Sequence, residues 1–74
     1  MIEHGKPNYD NLVKMANQIS QFFEAESGDA APAGIAEHIR KFWDPRMRRH
    51  IVEYSRSGGD GLRPPAAKAV ALLG

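Results

Sequence analysis

Residues 34–54 read GIAEHIRKFWDPRMRRHIVEY, and this stretch decides the fold because one helix ends within it and the next begins. Pro45 disfavours the helical backbone conformation at Asp44, so the first of these helices must end there. Asp44 is also a good N-cap, and a proline suits the first helical position, where an amide hydrogen would have no partner. The Asp44-Pro45 pair therefore predicts both the end of one helix and the start of another.

Apolar residues on both sides of this break recur every three or four positions, which predicts two amphipathic helices. After the break, Met47, Ile51 and Tyr54 form the inward face. We expect Trp43, at a helix end beside charged residues, to be the aromatic residue that stays partly exposed. The predicted inward face before the break consists of Ile35, Ala36, Ile39, Phe42 and Trp43.

The N-terminal third of the chain has the same periodicity. Asn8 or Asp10 is placed to cap a first helix, and Ser27-Gly28-Asp29 predicts its end followed by a new cap. Its predicted core stripe consists of Leu12, Met15, Ala16, Ile19, Phe22 and Phe23, and its predicted outer face of Lys14, Asn17, Gln18, Gln21 and Glu24.

The C-terminal third begins with a glycine-rich loop. Residues 57–61, Ser-Gly-Gly-Asp-Gly, cannot continue a helix without a large entropic cost. We expect Leu62 to anchor the chain on the core before Pro64 opens a last helix. Its predicted inward residues are Ala66, Ala69, Val70 and Leu73.

Together these patterns predict an all-α, single-domain bundle of three to four short helices. The chain has 74 residues, of which 42% are hydrophobic, and no cysteine. A domain of this size buries only about 60% of its unfolded surface, so we expect tight helix packing or a partner to supplement its stability. The predicted division is a flexible lead over residues 1–7 and a helical domain over 8–74, with helices at about 8–26, 30–43, 45–56 and 64–73.

The net charge of +1 conceals a polarity along the chain. Residues 1–37 contain two lysines against six acids, a net charge of −4, and residues 38–74 contain eight Lys/Arg against three acids, a net charge of +5. Such halves either attract each other or present two charged faces to a partner. No apolar run approaches the roughly 20 residues of a membrane span, and no signal-peptide core is apparent, so we expect no membrane partner and a cytoplasmic location.

Two segments resemble a known family. The run His38-Ile39-Arg40-Lys41-Phe42-Trp43-Asp44-Pro45-Arg46-Met47-Arg48, together with residues 12–19, LVKMANQI, is similar to the small delta subunit of NAD-dependent molybdenum- or tungsten-containing formate dehydrogenases. The similarity covers roughly residues 11–64. It implies a non-catalytic accessory subunit of a cytoplasmic oxidoreductase, which binds the catalytic alpha subunit and stabilises or helps to mature the complex. It further implies that other subunits hold the molybdenum or tungsten pterin, the iron–sulfur clusters and FMN, and that this chain holds no cofactor.

The largest functional signal in the residues themselves is a basic cluster around the helix break. It consists of Arg40, Lys41, Arg46, Arg48, Arg49 and Arg56. Arginine and tryptophan are enriched at energetically important protein interfaces, so we predict partner binding here. Handling of the guanine dinucleotide arms of the pterin cofactor is the alternative, because arginines at a helix start suit pyrophosphate. Nucleic-acid binding is a third reading, disfavoured by the modest pI near 8.2. The predicted partner-binding residues are Arg40, Trp43, Arg46, Arg48 and Arg49.

Patterns typical of catalysis or metal binding are weak in this chain. His4, His38 and His50 lack the spacing of a helical metal site, so we predict no metal. Gly58-Gly59-Asp60-Gly61 lacks the Gly-Lys-Ser/Thr ending of a phosphate loop and is interpreted as a helix-to-helix linker. Serines near these glycines have no general base arranged by sequence, and we therefore predict no catalytic residues.

Overall fold

A computed structural model describes residues 8–74 of the chain as four α-helices. This confirms the all-α class. The predicted flexible lead over residues 1–7 lies outside the described residues. Within them, no helix is long and apolar enough to cross a membrane. In chain order the elements are α1 (Tyr9–Ser27), a 3-10 turn (Gly28–Ala30), α2 (Ala31–Phe42), α3 (Pro45–Arg56) and α4 (Pro64–Leu73).

The start of α1 follows the prediction, whereas the start of α2 does not. The Asn8 side chain accepts a hydrogen bond from the backbone N–H of Asn11 and so caps α1. Gly28 ends α1 in the left-handed region, with φ of 53°. The predicted cap by Asp29 is wrong, since Ala30 precedes α2 and no side chain caps it. The 3-10 turn leads directly into α2 because the backbone N–H of Ala31 donates to the Gly28 carbonyl.

The core draws side chains from all four helices, with α2 packed between α1 and α4. Many of these side chains are alanines, which lets the helix axes approach closely, and the largest fully buried ones are aliphatic and branched. Leu62 packs against this core as predicted. The buried apolar residues are Leu12, Ala16, Ala31, Ile35, Ala36, Ile39, Trp43, Ile51, Ala66, Ala69 and Val70.

The aromatic residues at the end of α2 reverse the predicted arrangement. Trp43 is buried, at 4% exposure, whereas Phe42 is 71% exposed. Trp43 lies four positions after the buried Ile39, and its N–H still donates to the Ile39 carbonyl at 2.9 Å, so helical spacing keeps it on the core face. Phe42 lies instead beside the ring of His38, outside the core. Phe22, predicted in the core stripe of α1, is also 60% exposed.

The predicted outer face of α1 is partly wrong as well, because two of its polar residues bind the segment before α4. Asn17 Nδ2 donates to the Gly61 carbonyl at 2.8 Å, and the Arg63 N–H donates to Asn17 Oδ1 at 2.9 Å. The Arg63 guanidinium donates to both carboxylate oxygens of Glu24, each at 2.8 Å, and buried Ser20 donates to the same carboxylate. This polar clamp joins the loop between α3 and α4 to α1.

Candidate partner-docking site

An open cleft of about 700 Å³ lies where α3 runs beside the C-terminal ends of α2 and α4. Arginine side chains form much of its wall, and two aliphatic side chains, Val52 and Leu73, form apolar surface within it. Among residues 8–74, Glu53 is the one acidic residue that lines it. The arginines of this cleft are Arg40, Arg48, Arg49 and Arg56.

Arg40 and Arg48 are held in place by backbone carbonyls. Arg48 Nη1 donates to the carbonyls of Trp43 at 2.7 Å and Arg40 at 3.2 Å. Arg40 Nη2 donates to the Leu72 carbonyl at 3.0 Å. The last carbonyls of a helix have no partner within it, and a cation there also interacts favourably with the helix dipole. These two arginines therefore stabilise the ends of α2 and α4 as well as lining the cleft.

Arg46, Arg49 and Arg56 are exposed and carry charge that the fold leaves uncompensated. Among residues 8–74, ion pairs join Lys41 to Glu37 and Arg63 to Glu24, and none involves these three arginines. Arg46 and Arg49 also sit in the first turns of α3, where the positive end of the helix dipole disfavours a cation. The arrangement makes this surface receptive to an anionic partner.

The structure separates the five predicted docking residues into three groups. Arg46 and Arg49 are exposed and form a second, smaller depression of about 420 Å³ with Asp44 and Pro45. Arg40 and Arg48 line the cleft but are tied to backbone carbonyls. Trp43 is buried, so the expectation that it stays partly exposed is wrong.

Val52 and Arg56 are among the cleft residues that were not in the predicted partner-binding set. Arg56 lies seven positions after Arg49, and Val52 three, so helical spacing places them on one side of α3. That spacing is visible in the sequence and is the signal that would have identified them.

A separate aromatic patch lies on the other flank of α2. His38 and Phe42, whose ring centroids are 4.7 Å apart, form its α2 side. Phe22 and Phe23, at 5.2 Å, form its α1 side. Positions two apart on a helix differ by about 200°, so Phe42 points away from the side that carries Arg40.

His38 and His50 pack against aromatic rings, and the glycine loop links two helices, whereas His4 lies outside the described residues. His38 lies beside Phe23 and Phe42, and His50 lies edge-on to Tyr9. No cluster of three metal-ligating side chains occurs among the residues that the structure describes. In the linker before α4, the Tyr54 hydroxyl donates to the Asp60 carbonyl at 2.7 Å.

Comparison with known families gave a match to the family described as NADH-dependent formate dehydrogenase delta subunit FdsD. It spans residues 11–70, and therefore runs from the first turn of α1 into α4, beyond the extent of the predicted resemblance. All the arginines of the cleft lie within it. Comparisons with curated proteins and with solved structures gave no match.

Proposed function

The chain belongs to the family of delta subunits of NADH-dependent formate dehydrogenases, and from this premise we propose that it is a non-catalytic accessory subunit. It binds the catalytic subunit in the cytoplasm and stabilises it or helps it to mature. The cofactors of the reaction, the pterin-bound molybdenum or tungsten, the iron–sulfur clusters and FMN, belong to other subunits in this proposal.

The observation that carries the docking role is the uncompensated charge of Arg46 and Arg49. Both side chains are exposed, and neither makes an ion pair or a side-chain hydrogen bond within residues 8–74. Guanidinium groups form strong two-pronged hydrogen bonds with carboxylates. An acidic surface on the catalytic subunit would relieve the repulsion between these arginines and bind them directly.

Stabilisation follows from binding by mass action. A protein that binds the folded state of its partner and not the unfolded state shifts the folding equilibrium of that partner. The same linkage acts on this chain, since a domain of its size has little stability to spare. We therefore expect the chain and the catalytic subunit each to melt at a higher temperature together than apart.

The experiment that tests the proposal reverses the two exposed arginines. We expect the double variant Arg46→Glu and Arg49→Glu to fold normally but to lose about 2–5 kcal/mol of association with the catalytic subunit. Co-purification, calorimetric binding, the thermal melt and formate oxidation by the assembled complex are the measurements. The matched control is Lys14→Glu with Lys68→Glu, which reverses two exposed charges outside the cleft.

The outcomes separate the candidate roles. Unchanged association by a folded double variant would contradict docking through these arginines. An unfolded double variant would mean that they pair within the chain. Adding GDP to the free chain tests the cofactor-handling alternative, because saturable nucleotide binding that the double variant loses would favour it over a purely structural subunit.

A further inference from the structure

From the spacing of charged and apolar side chains in the cleft, and resting on the proposed function, we infer that the cleft receives an acidic amphipathic helix of the partner subunit. This helix carries carboxylates two turns apart with aliphatic side chains between them. The inference names the chemistry of the docked segment, which the family match does not.

The α3 wall of the cleft has an ordered pattern. Arg49, Val52, Glu53 and Arg56 follow one another at i, i+3, i+4 and i+7, so they share one side of the helix. At a rise of about 1.5 Å per residue, Arg49 and Arg56 are separated by roughly 10 Å along the helix axis. A second helix laid beside α3 repeats the same distance between its own positions i and i+7.

Apolar surface lies between the charges. Val52 on α3 is half-buried, and Leu73 lines the cleft from α4. Arg40 lies at the α4 end of the cleft. Its guanidinium donates a hydrogen bond to the Leu72 carbonyl, so this donor is already ordered before a partner arrives. Aliphatic side chains in the middle of the incoming helix would bury Val52 and Leu73 while its carboxylates meet the arginines.

Glu53 argues against a compact anion such as a phosphate. Its carboxylate lies in sequence between Arg49 and Arg56 and lowers the positive potential at the centre of the cleft. The backbone positions of Arg49 and Arg56 are roughly 10 Å apart along the helix axis, so a single phosphate contacts both guanidiniums only if both side chains converge towards it over Glu53. An extended partner reaches both arginines and offers Glu53 a basic side chain of its own.

The test uses two labelled peptides and inorganic pyrophosphate as probes for the full chain. The first peptide has about 15 alanine-rich residues, a length that supports a helix in water, with Glu at i and i+7 and Leu between them. The second has the same composition in scrambled order. Fluorescence anisotropy should show at least about tenfold tighter binding of the patterned peptide.

Variants of the chain test whether the patterned peptide binds in the cleft. Arg49→Glu with Arg56→Glu should abolish binding of the patterned peptide, whereas Lys14→Glu with Lys68→Glu should leave it unchanged. Val52→Thr, which keeps the side-chain shape, should weaken the patterned peptide alone, because the scrambled peptide has no apolar face to bury. A thermal melt of each variant confirms that it is folded.

Two results would overturn the inference. One is equal affinity for both peptides, and the other is saturable pyrophosphate binding that displaces the peptide and disappears in the Arg49/Arg56 variant. If the inference fails in either way while reversal of Arg46 and Arg49 still disrupts the complex, the proposed docking function stands without it. A chain that binds the patterned peptide but never associates with the catalytic subunit would instead contradict the proposed function.

Discussion

At the residue scale, Asp44 shows how one side chain sets a boundary. Its Oδ1 accepts a hydrogen bond from the backbone N–H of Met47 at 2.8 Å, which confirms the predicted cap. Its own carbonyl accepts from the N–H of Arg48, the first hydrogen bond of α3. Pro45 occupies the next position, where no N–H is needed.

Replacing Asp44 with alanine removes this cap. We expect a loss of about 0.5–2 kcal/mol in unfolding free energy. In a domain of this size each 1 kcal/mol lowers the melting temperature by about 4–8 °C. Circular dichroism melts measure the change, and Asp44→Asn is the control because asparagine caps equally well. An unchanged midpoint in Asp44→Ala would show that the hydrogen bond contributes nothing to stability.

At the element scale, α2 and α3 are joined across their shared boundary by Arg48. The arginine begins in α3 and reaches back to the Trp43 and Arg40 carbonyls, which α2 leaves without helical partners. The contact holds Trp43 in its extended conformation over the core. Arginines near the break therefore differ in role, because some bind carbonyls of the fold and others are exposed to solvent.

Arg46 and Arg48 provide a matched pair for testing these roles. We expect Arg48→Ala to cost about 1–3 kcal/mol of unfolding free energy, because it removes the donor from the part-buried hydrogen bond to the Trp43 carbonyl. Arg46→Ala should leave the free energy within about 0.5 kcal/mol of the wild type, as for other exposed substitutions. Urea unfolding of both variants makes the comparison, and equal effects would contradict the division between a structural and a free arginine.

At the scale of the whole molecule, a single ion pair within residues 8–74 joins the acidic and basic halves between residues distant in sequence. Arg63 binds Glu24 across 39 sequence positions. Hydrogen bonds from Arg63, and then from Ser20, lower the pKa of Glu24 from 4.5 to about 2, and the same contact raises the pKa of Arg63. Within residues 8–74, Arg46, Arg49 and Arg56 make no ion pair and remain available to a partner.

The ion pair of Glu24 with Arg63 should make the unfolding free energy of the chain depend on pH. Unfolded chains protonate Glu24 near pH 4.5, whereas the folded chain does so only near pH 2, so the stabilisation is complete above pH 4.5 and is lost as the pH falls towards 2. We expect the difference in unfolding free energy between wild type and Glu24→Gln to shrink over that range. Urea unfolding at a series of pH values measures it, with Glu26→Gln, exposed on the same helix, as the control. A constant difference would contradict the assignment.

The sequence by itself determined the features that depend on neighbours within about two helical turns. These are the all-α class, the break at Asp44-Pro45, a first cap at Asn8 or Asp10, the glycine loop and the clustering of arginines beside the break. Local spacing is sufficient there because backbone hydrogen bonds and amphipathic faces join residues close in sequence. The family resemblance carried by the same stretch also needed no coordinates.

Only the tertiary structure decided which of these side chains are exposed and which are buried or hydrogen-bonded within the chain. It buried Trp43 and exposed Phe42, because the core that the other helices form against α2 includes the side of Ile39 and Trp43 and leaves Phe42 outside. It placed Asn17, which was predicted on the outer face of α1, in a hydrogen bond with the Gly61 carbonyl, 44 positions later in the chain. It also left Arg49 free while it tied Arg48 to carbonyls. Such outcomes depend on how helices distant in sequence pack against one another, and local periodicity carries no information about that packing.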